Sequence, residues 1–142
     1  MDEKHIIEVL KQVSLFSGMD KHHLGLISKI ITVRQFEAGD TIVKQGDDGI
    51  GFYIVASGLV EIQKVIDGTP KKVAEIGEGE FFGELALFEE TPRSATVIAA
   101  EPSTCYVITR WHFNGAIESN PTIAVHMLPV IAKRYTKAAH EV

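Results

Sequence analysis

The spacing of apolar and polar positions divides the chain into three parts. In the first part, apolar side chains recur at helical spacing in Ile6, Leu10 and Val13, as on the buried face of a helix. A second, shorter helical pattern follows Asp20, a residue type that caps helix N-termini well. The sequence therefore predicts N-terminal helices within residues 1–29.

The middle part, residues 30–110, changes to short runs rich in β-branched and aromatic residues, with glycines between them. The runs are 30–36, 41–44, 52–56, 59–66, 72–76, 95–99 and 105–109. Strands this short, with turn signals this frequent, are typical of all-β barrels, sandwiches and rolls. No helix of ordinary length fits between the glycines.

The last part, residues 111–142, is again helical. Asn120 and Pro121 form a good helix start, and Pro129 is expected to kink or interrupt the helix. Apolar residues then follow spacings of 4, 3, 4 and 3, in Ala124, Leu128, Ile131, Tyr135 and Ala138. This seam predicts a parallel homodimer through the last helix; the alternative is that the stripe packs on the protein's own β-roll. The whole chain is interpreted as a single domain, 1–142.

Composition narrows the class of protein. The chain has 142 residues and a net charge of −5, which argues against direct nucleic-acid binding. No apolar stretch approaches the length of a membrane span, and early charges exclude a secretory signal. The single cysteine, Cys105, excludes an intramolecular disulfide and is expected to be a buried small apolar residue. These features favour a cytoplasmic protein.

Residues 82–97 carry the candidate chemistry. A strand is expected to end at Gly83, where the missing side chain allows close approach to the backbone, and residues 84–88 favour a short helix with free N–H groups at its start. Arg93 follows, and its planar cation suits a phosphate. Seven carboxylates surround this single cation between Val73 and Glu101. An anion would therefore need a local pocket rather than a positive surface.

These residues resemble the phosphate-binding cassette of cyclic nucleotide-binding domains. The segment Gly83-Glu84-Leu85-Ala86-Leu87 is followed by Pro92-Arg93-Ser94-Ala95-Thr96. The resemblance covers nearly the whole chain and is to sensor domains of the catabolite activator and protein kinase A regulatory subunit type. It implies an eight-stranded antiparallel β-roll (double-stranded β-helix, jelly-roll-like) with N-terminal helices, a short cassette helix and a C-terminal helix.

The resemblance also implies the roles of individual residues. Arg93 would pair with the cyclic phosphate, helped by backbone N–H groups of Ala86, Ser94 and Ala95 and by the Ser94 hydroxyl. Glu84 and the Gly83 amide would hold the ribose 2′-hydroxyl. Residues expected next to the base are Val73, Ala74, Ile76, Ala138 and Ala139.

The alanines at 138 and 139 change the expected selectivity. In the catabolite activator, hydroxyl residues at the matching positions help to read the adenine, whereas alanine offers no side-chain hydrogen bond. A pocket without polar groups aimed at the base discriminates weakly. The ligand is therefore expected to be cAMP, with a modest preference over cGMP.

The expected function is regulatory binding, with no catalysis, no cofactor and no metal. No nucleophile–base pair is visible, and no histidine lies between Ile30 and Arg110, which excludes a cupin-type metal site. The bound nucleotide would control an attached output domain or an unidentified partner. Two alternatives remain: a sensor fragment of a transcription regulator without its DNA-binding domain, and a ligand-free roll used for dimerisation or protein interaction.

Overall fold

The computed structural model describes residues 3–139, and of residues 134, 135 and 137–139 it describes the backbone only. The described residues fall into two compact units. One unit comprises the residues up to Ile30 together with those from His112 onward, and the other is Ile31–Trp111. Each is described separately below.

The described part of the helical unit contains four α-helices. These are α1 (Glu3–Gln12), α2 (Lys21–Ser28), α3 (Arg110–Ser119, which starts in the β unit) and α4 (Thr122–Ala139), with a 3₁₀ helix at Ser14–Phe16. Asp20 is the N-cap of α2, as predicted, since its side chain accepts a hydrogen bond from the His23 amide. The largest buried side chains of this unit are Leu10, Leu15, Phe16, Ile27, Phe113, Ile123 and Met127.

The β unit contains eight strands among the described residues. They are β1 (Thr32–Phe36), β2 (Thr41–Val43), β3 (Gly51–Ser57), β4 (Leu59–Ile66), β5 (Thr69–Gly77), β6 (Phe81–Phe82), β7 (Thr96–Ala99) and β8 (Ser103–Thr109). Two antiparallel sheets result, in the orders β1-β8-β3-β6 and β2-β7-β4-β5. This confirms the predicted eight-stranded antiparallel roll with flanking helices.

Both sheets contribute to one apolar core. Tyr53, Val55, Phe82, Cys105 and Val107 come from the first sheet, and Val60 and Val97 come from the second. Cys105 is fully buried, as expected for a small apolar side chain. The β unit therefore consists of two sheets packed face to face.

The β4–β5 hairpin shows why strand β5 is longer than its predicted span of 72–76. Asp67 and Gly68 connect the strands with φ values of 53° and 76°, the positive pair that a tight type I′ hairpin turn requires. Pairing starts immediately at Ile66 and Thr69. Proline has no N–H for a strand on both sides, but Pro70 is tolerated because β5 is an edge strand. The strand therefore extends through Pro70 to Thr69.

At Pro129 the last helix, α4, continues without interruption, which leaves a kink as the expected effect of this proline. Proline removes the hydrogen bond to the carbonyl four residues earlier, here that of Val125. Among the described residues, none of the helices combines the length and apolar character needed to cross a bilayer.

The predicted seam of α4 is only partly described. Leu128 is 61% exposed, while Ala124 and Ile131 are half-buried. Among the α4 residues whose side chains are described, the buried ones are instead Ile123 and Met127. The side chains of Tyr135 and Ala138 lie outside the described part.

Candidate functional site

A cavity of about 490 Å³ opens beside the 82–97 segment in the β unit. Its walls come from β2, β4, the turn before β3, and the chain from Phe82 to Val97. The lining residues are Val43, Gly49, Ile62, Lys64, Phe82, Gly83, Glu84, Leu85, Ala86, Thr91, Pro92, Arg93, Ser94, Ala95 and Val97. The structure therefore brings together all six residues that the family resemblance assigned to phosphate and ribose: Gly83, Glu84, Ala86, Arg93, Ser94 and Ala95.

The expected cassette helix is a single 3₁₀ helix, Glu84–Leu87, which we call the cassette turn. Gly83 precedes it with φ 80° and ψ 21°, a left-handed conformation that favours glycine. The Ala86 amide donates to the Gly83 carbonyl at 3.1 Å. The first N–H groups of such a turn have no partner within the turn, and here they belong to Glu84 and Leu85. The Ala86 amide is thus already used inside the turn.

Backbone hydrogen bonds fix the segment that carries Arg93. The Arg93 amide donates to the Asp47 carbonyl at 2.7 Å, and the Gly49 amide donates to the Thr91 carbonyl at 3.0 Å. The Arg93 carbonyl accepts from the Gly46 amide at 2.9 Å. Backbone hydrogen bonds to the turn before β3 therefore fix the position of the chain at Arg93.

The Arg93 side chain is held against neutral groups. Its Nη2 donates to the Gly51 carbonyl at 2.6 Å, and its Cζ lies 5.7 Å from the centre of the Tyr53 ring, within range of a cation–π contact. The guanidinium is half-buried, and this burial lowers its pKa below the ordinary value. Arginine nevertheless stays protonated, so the cavity wall carries a partly desolvated positive charge.

Two glycines make room for this guanidinium. A Cβ atom at Gly49 would lie 3.3 Å from the Cζ of Arg93, and a Cβ atom at Gly83 would collide with its Nη1. Gly83 therefore serves two purposes, the left-handed backbone at the start of the cassette turn and the close approach of Arg93.

Two further cations were missed by sequence reasoning. Lys64 of β4 lines the cavity and is exposed. The Arg110 side chain donates through Nη1 to the Gly49 carbonyl at 3.2 Å and to the Ala86 carbonyl at 3.4 Å, and so links the turn before β3 to the cassette turn. Neither cation could be identified from the sequence around it, because its position near the cassette depends on which elements of the fold lie beside the cassette.

The strand residues predicted to contact the base lie outside the cavity lining. Val73 and Ala74 are exposed, whereas Ile76 packs against the apolar core. The reason is the strand order: β5 lies at the sheet edge, beyond β4, so Ile62 of β4 lines the cavity instead. The side chains of Ala138 and Ala139 are outside the described part.

Comparison with known proteins agrees with the predicted family. The family model of the cyclic nucleotide-binding domain matches residues 33–120. The chain is 35% identical to a cAMP-dependent protein kinase regulatory subunit of Dictyostelium discoideum over 80% of its length and 34% of the relative's. It is 34% identical to human cGMP-dependent protein kinase 2 over 76% of its length and 15% of the relative's. It thus spans about a third or less of either relative.

A solved structure shows the same fold. The N-terminal domain of a transcriptional regulator from Streptomyces coelicolor A3(2) superposes with a TM-score of 0.87 at 27% identity, covering 94% of this chain and 96% of that one. The family-model match covers more than half of the chain. The chain belongs to the cyclic nucleotide-binding domain family, a family of regulatory, non-catalytic domains.

Proposed function

We propose that this protein binds a cyclic nucleotide in the cavity beside the cassette turn and acts as a regulatory sensor, with cAMP favoured over cGMP. The observation that carries the proposal is the half-buried guanidinium of Arg93, bonded to the Gly51 carbonyl. Its burial lowers its pKa, which means that the charge is incompletely solvated. A phosphate anion would compensate that charge through a charge-assisted, bidentate pair.

The phosphate is proposed to contact Arg93 and the N–H groups of Ser94 and Ala95, with the Ser94 hydroxyl adding a bond. Donation from the Ala86 amide would share or replace its present bond to the Gly83 carbonyl, so ligand binding is expected to adjust the cassette turn. Glu84, half-buried on the cavity wall, is proposed to accept from the ribose 2′-hydroxyl, with the Gly83 amide beside it.

The base is proposed to meet a mainly apolar surface. Val43 and Ile62 line the cavity and replace Val73 and Ala74 in this role, while Ala138 and Ala139 would add no side-chain hydrogen bond. Relatives are named for both cAMP and cGMP. Weak polar readout limits discrimination, so we expect cAMP to bind about tenfold more tightly than cGMP, near 1.4 kcal/mol.

The output is proposed to be an attached domain or a separate partner, with a homodimer formed through α4. The relatives include parts of protein kinases and of a transcriptional regulator, and these suggest either kind of output. A ligand-free roll is less favoured, because both Arg93 and Glu84 are present and lie on the same cavity wall.

Titration calorimetry with cAMP and cGMP tests the proposal directly. We expect saturable binding of both, and we expect Arg93→Ala to weaken it by about 2–5 kcal/mol, because a desolvated phosphate loses its charged partner. Arg93→Lys should restore binding only partly, since lysine lacks the planar fork. Arg34→Ala is the matched control, because Arg34 is an exposed arginine of β1 outside the cavity lining.

Two results would contradict the proposal. Absence of binding of either nucleotide at millimolar concentration would favour the ligand-free alternative. Equal affinity of Arg93→Ala and the wild type would show that the phosphate is not held by Arg93.

A further inference from the structure

A cluster of one carboxylate and two imidazoles lies at the start of α2. The Asp20 Oδ1 atom accepts from the His23 amide at 2.9 Å and lies 2.6 Å from His23 Nδ1. The imidazole of His126, on α4, packs edge-to-face on that of His23 with 4.6 Å between ring centres. One donor atom from each of the three residues lies within 4.8 Å of the other two.

The outer partner of His23 is also defined. Its Nε2 lies 2.7 Å from the Thr122 hydroxyl, which fixes the ring from the opposite side. Imidazoles that bind metals characteristically donate their second N–H to an oxygen atom, and the Thr122 hydroxyl can accept such a bond when His23 carries its proton on Nε2. His23 would then present Nδ1 towards Asp20 and His126.

The donor set and its dimensions suit a transition ion. Imidazole nitrogen and carboxylate oxygen bind Zn²⁺ at about 2.0–2.2 Å, so donors on one ion stand about 3.3 Å apart. The Asp20 and His23 atoms must separate slightly, as an ion replaces the proton between them, and His126 must approach. The Asp20 side chain is 61% exposed, so an ion can reach the cluster from solvent. The hydrogen bond from the His23 amide is the main reason why the pKa of the Asp20 carboxyl is lowered from its ordinary value, and the hydrogen bond with the His23 side chain contributes next.

We propose that Asp20, His23 and His126 form a binding site for a divalent first-row transition ion, for which Zn²⁺ is the probe. Three protein ligands leave a fourth position for water. The ion would join the N-terminus of α2 to α4 and stabilise the helical unit. None of the three residues lines the cavity beside the cassette turn, so the failure of this proposal would not affect the proposed function, and the reverse also holds.

Zinc binding is measured on the whole chain without a polyhistidine tag, by competition with a chromogenic chelator at pH 7.5. We expect one Zn²⁺ per chain with a low-micromolar Kd. His126→Ala should weaken binding at least tenfold. Asp20→Asn should also do so while preserving the fold, since asparagine caps helices as well as aspartate does. The control is His22→Ala, which removes the exposed histidine beside His23 and should change the Kd less than threefold.

A stability readout separates a specific site from surface binding. An ion that binds only the folded state raises the melting temperature, so Zn²⁺ should raise Tm for the wild type and for His22→Ala but not for His126→Ala or Asp20→Asn. The proposal is overturned if the wild type takes up no Zn²⁺ at 100 μM, or if His126→Ala binds as tightly as the wild type. It is likewise overturned if His22→Ala loses as much affinity as His126→Ala.

Discussion

Arg93 is a charged side chain that the β unit holds partly out of water with neutral groups. The Gly51 carbonyl and the Tyr53 ring compensate its charge, but less fully than an anion would. Lys64 also lines the cavity yet is exposed, so its charge is solvated and screened. In the proposed function the two cations would therefore differ in role: Arg93 is already positioned for the phosphate, whereas Lys64 would add a weaker, salt-dependent attraction.

Glu84→Gln tests the proposed ribose contact. We expect the fold to be retained and cAMP affinity to fall by about 1–3 kcal/mol, the range for losing a charge-assisted hydrogen bond. Calorimetry with 2′-deoxy-cAMP should show almost no effect of the substitution, because that ligand lacks the hydroxyl. Glu89→Gln, at an exposed position after the cassette turn, is the control. Equal losses for the two nucleotides would show that Glu84 does not contact the 2′-hydroxyl.

Cys105 gives a pH-dependent prediction. Burial raises the pKa of its thiol from 9.0 to about 11, because the charged thiolate is poorly solvated in the core. Between these values the unfolded chain releases the thiol proton and the folded protein keeps it, so the free energy of unfolding falls as pH rises. From pH 8 to 10.5 the wild type should lose roughly 1–2 kcal/mol relative to Cys105→Ala. Urea unfolding at both pH values measures this difference, and a gap independent of pH would contradict it.

At the scale of elements, the cassette turn depends on Gly83, which adopts a left-handed backbone conformation and leaves room for the Arg93 guanidinium. Gly83→Ala should cost about 1–2 kcal/mol of stability, because alanine disfavours the left-handed conformation. It should also weaken cAMP binding about tenfold or more, roughly 1.4 kcal/mol, because the new methyl group displaces the guanidinium of Arg93.

Gly68→Ala separates these two effects. Gly68 has a similar φ of 76° in the β4–β5 turn, but a Cβ atom there would meet nothing within 4 Å. Urea unfolding should therefore show comparable destabilisation of both variants, whereas calorimetry should show weaker binding only for Gly83→Ala. A similar loss of affinity in both would mean that the Gly83 effect is general destabilisation.

The strands and the cassette could be predicted because their signals are local. Short runs of β-branched and aromatic residues with glycines between them mark the strands, and the motif that joins Gly83, Glu84 and Arg93 marks the cassette. Lys64 and Arg110 could not be found in this way, because their closeness to the cassette depends on the strand order and on the direction in which each side chain extends. The same limit explains why Val73 and Ala74 were assigned to the base although β4 lies between their strand and the rest of the sheet.

At the scale of the whole molecule, the proposed sensor function requires a surface through which ligand binding would act on another domain or protein. The exposed side of α4 is the candidate for self-association. Leu128 is 61% exposed and Val125 is 62% exposed, whereas Ile123 and Met127 of the same helix are buried. The helix therefore has one apolar stripe that packs within the protein and a second that faces solvent in a single chain.

The double substitution Leu128→Glu and Ile131→Glu tests whether the exposed stripe forms a parallel homodimer. We expect the wild type to sediment as a dimer and the variant as a folded monomer, because paired carboxylates in an apolar seam are costly to bury. Pro129→Glu with Thr136→Glu adds the same charge at two exposed positions of α4 that lie outside the seam and should remain dimeric. Circular dichroism checks that each variant is folded. A monomeric wild type would contradict the homodimer. If, in addition, the Leu128→Glu and Ile131→Glu variant unfolds, the stripe stabilises the protein's own fold instead.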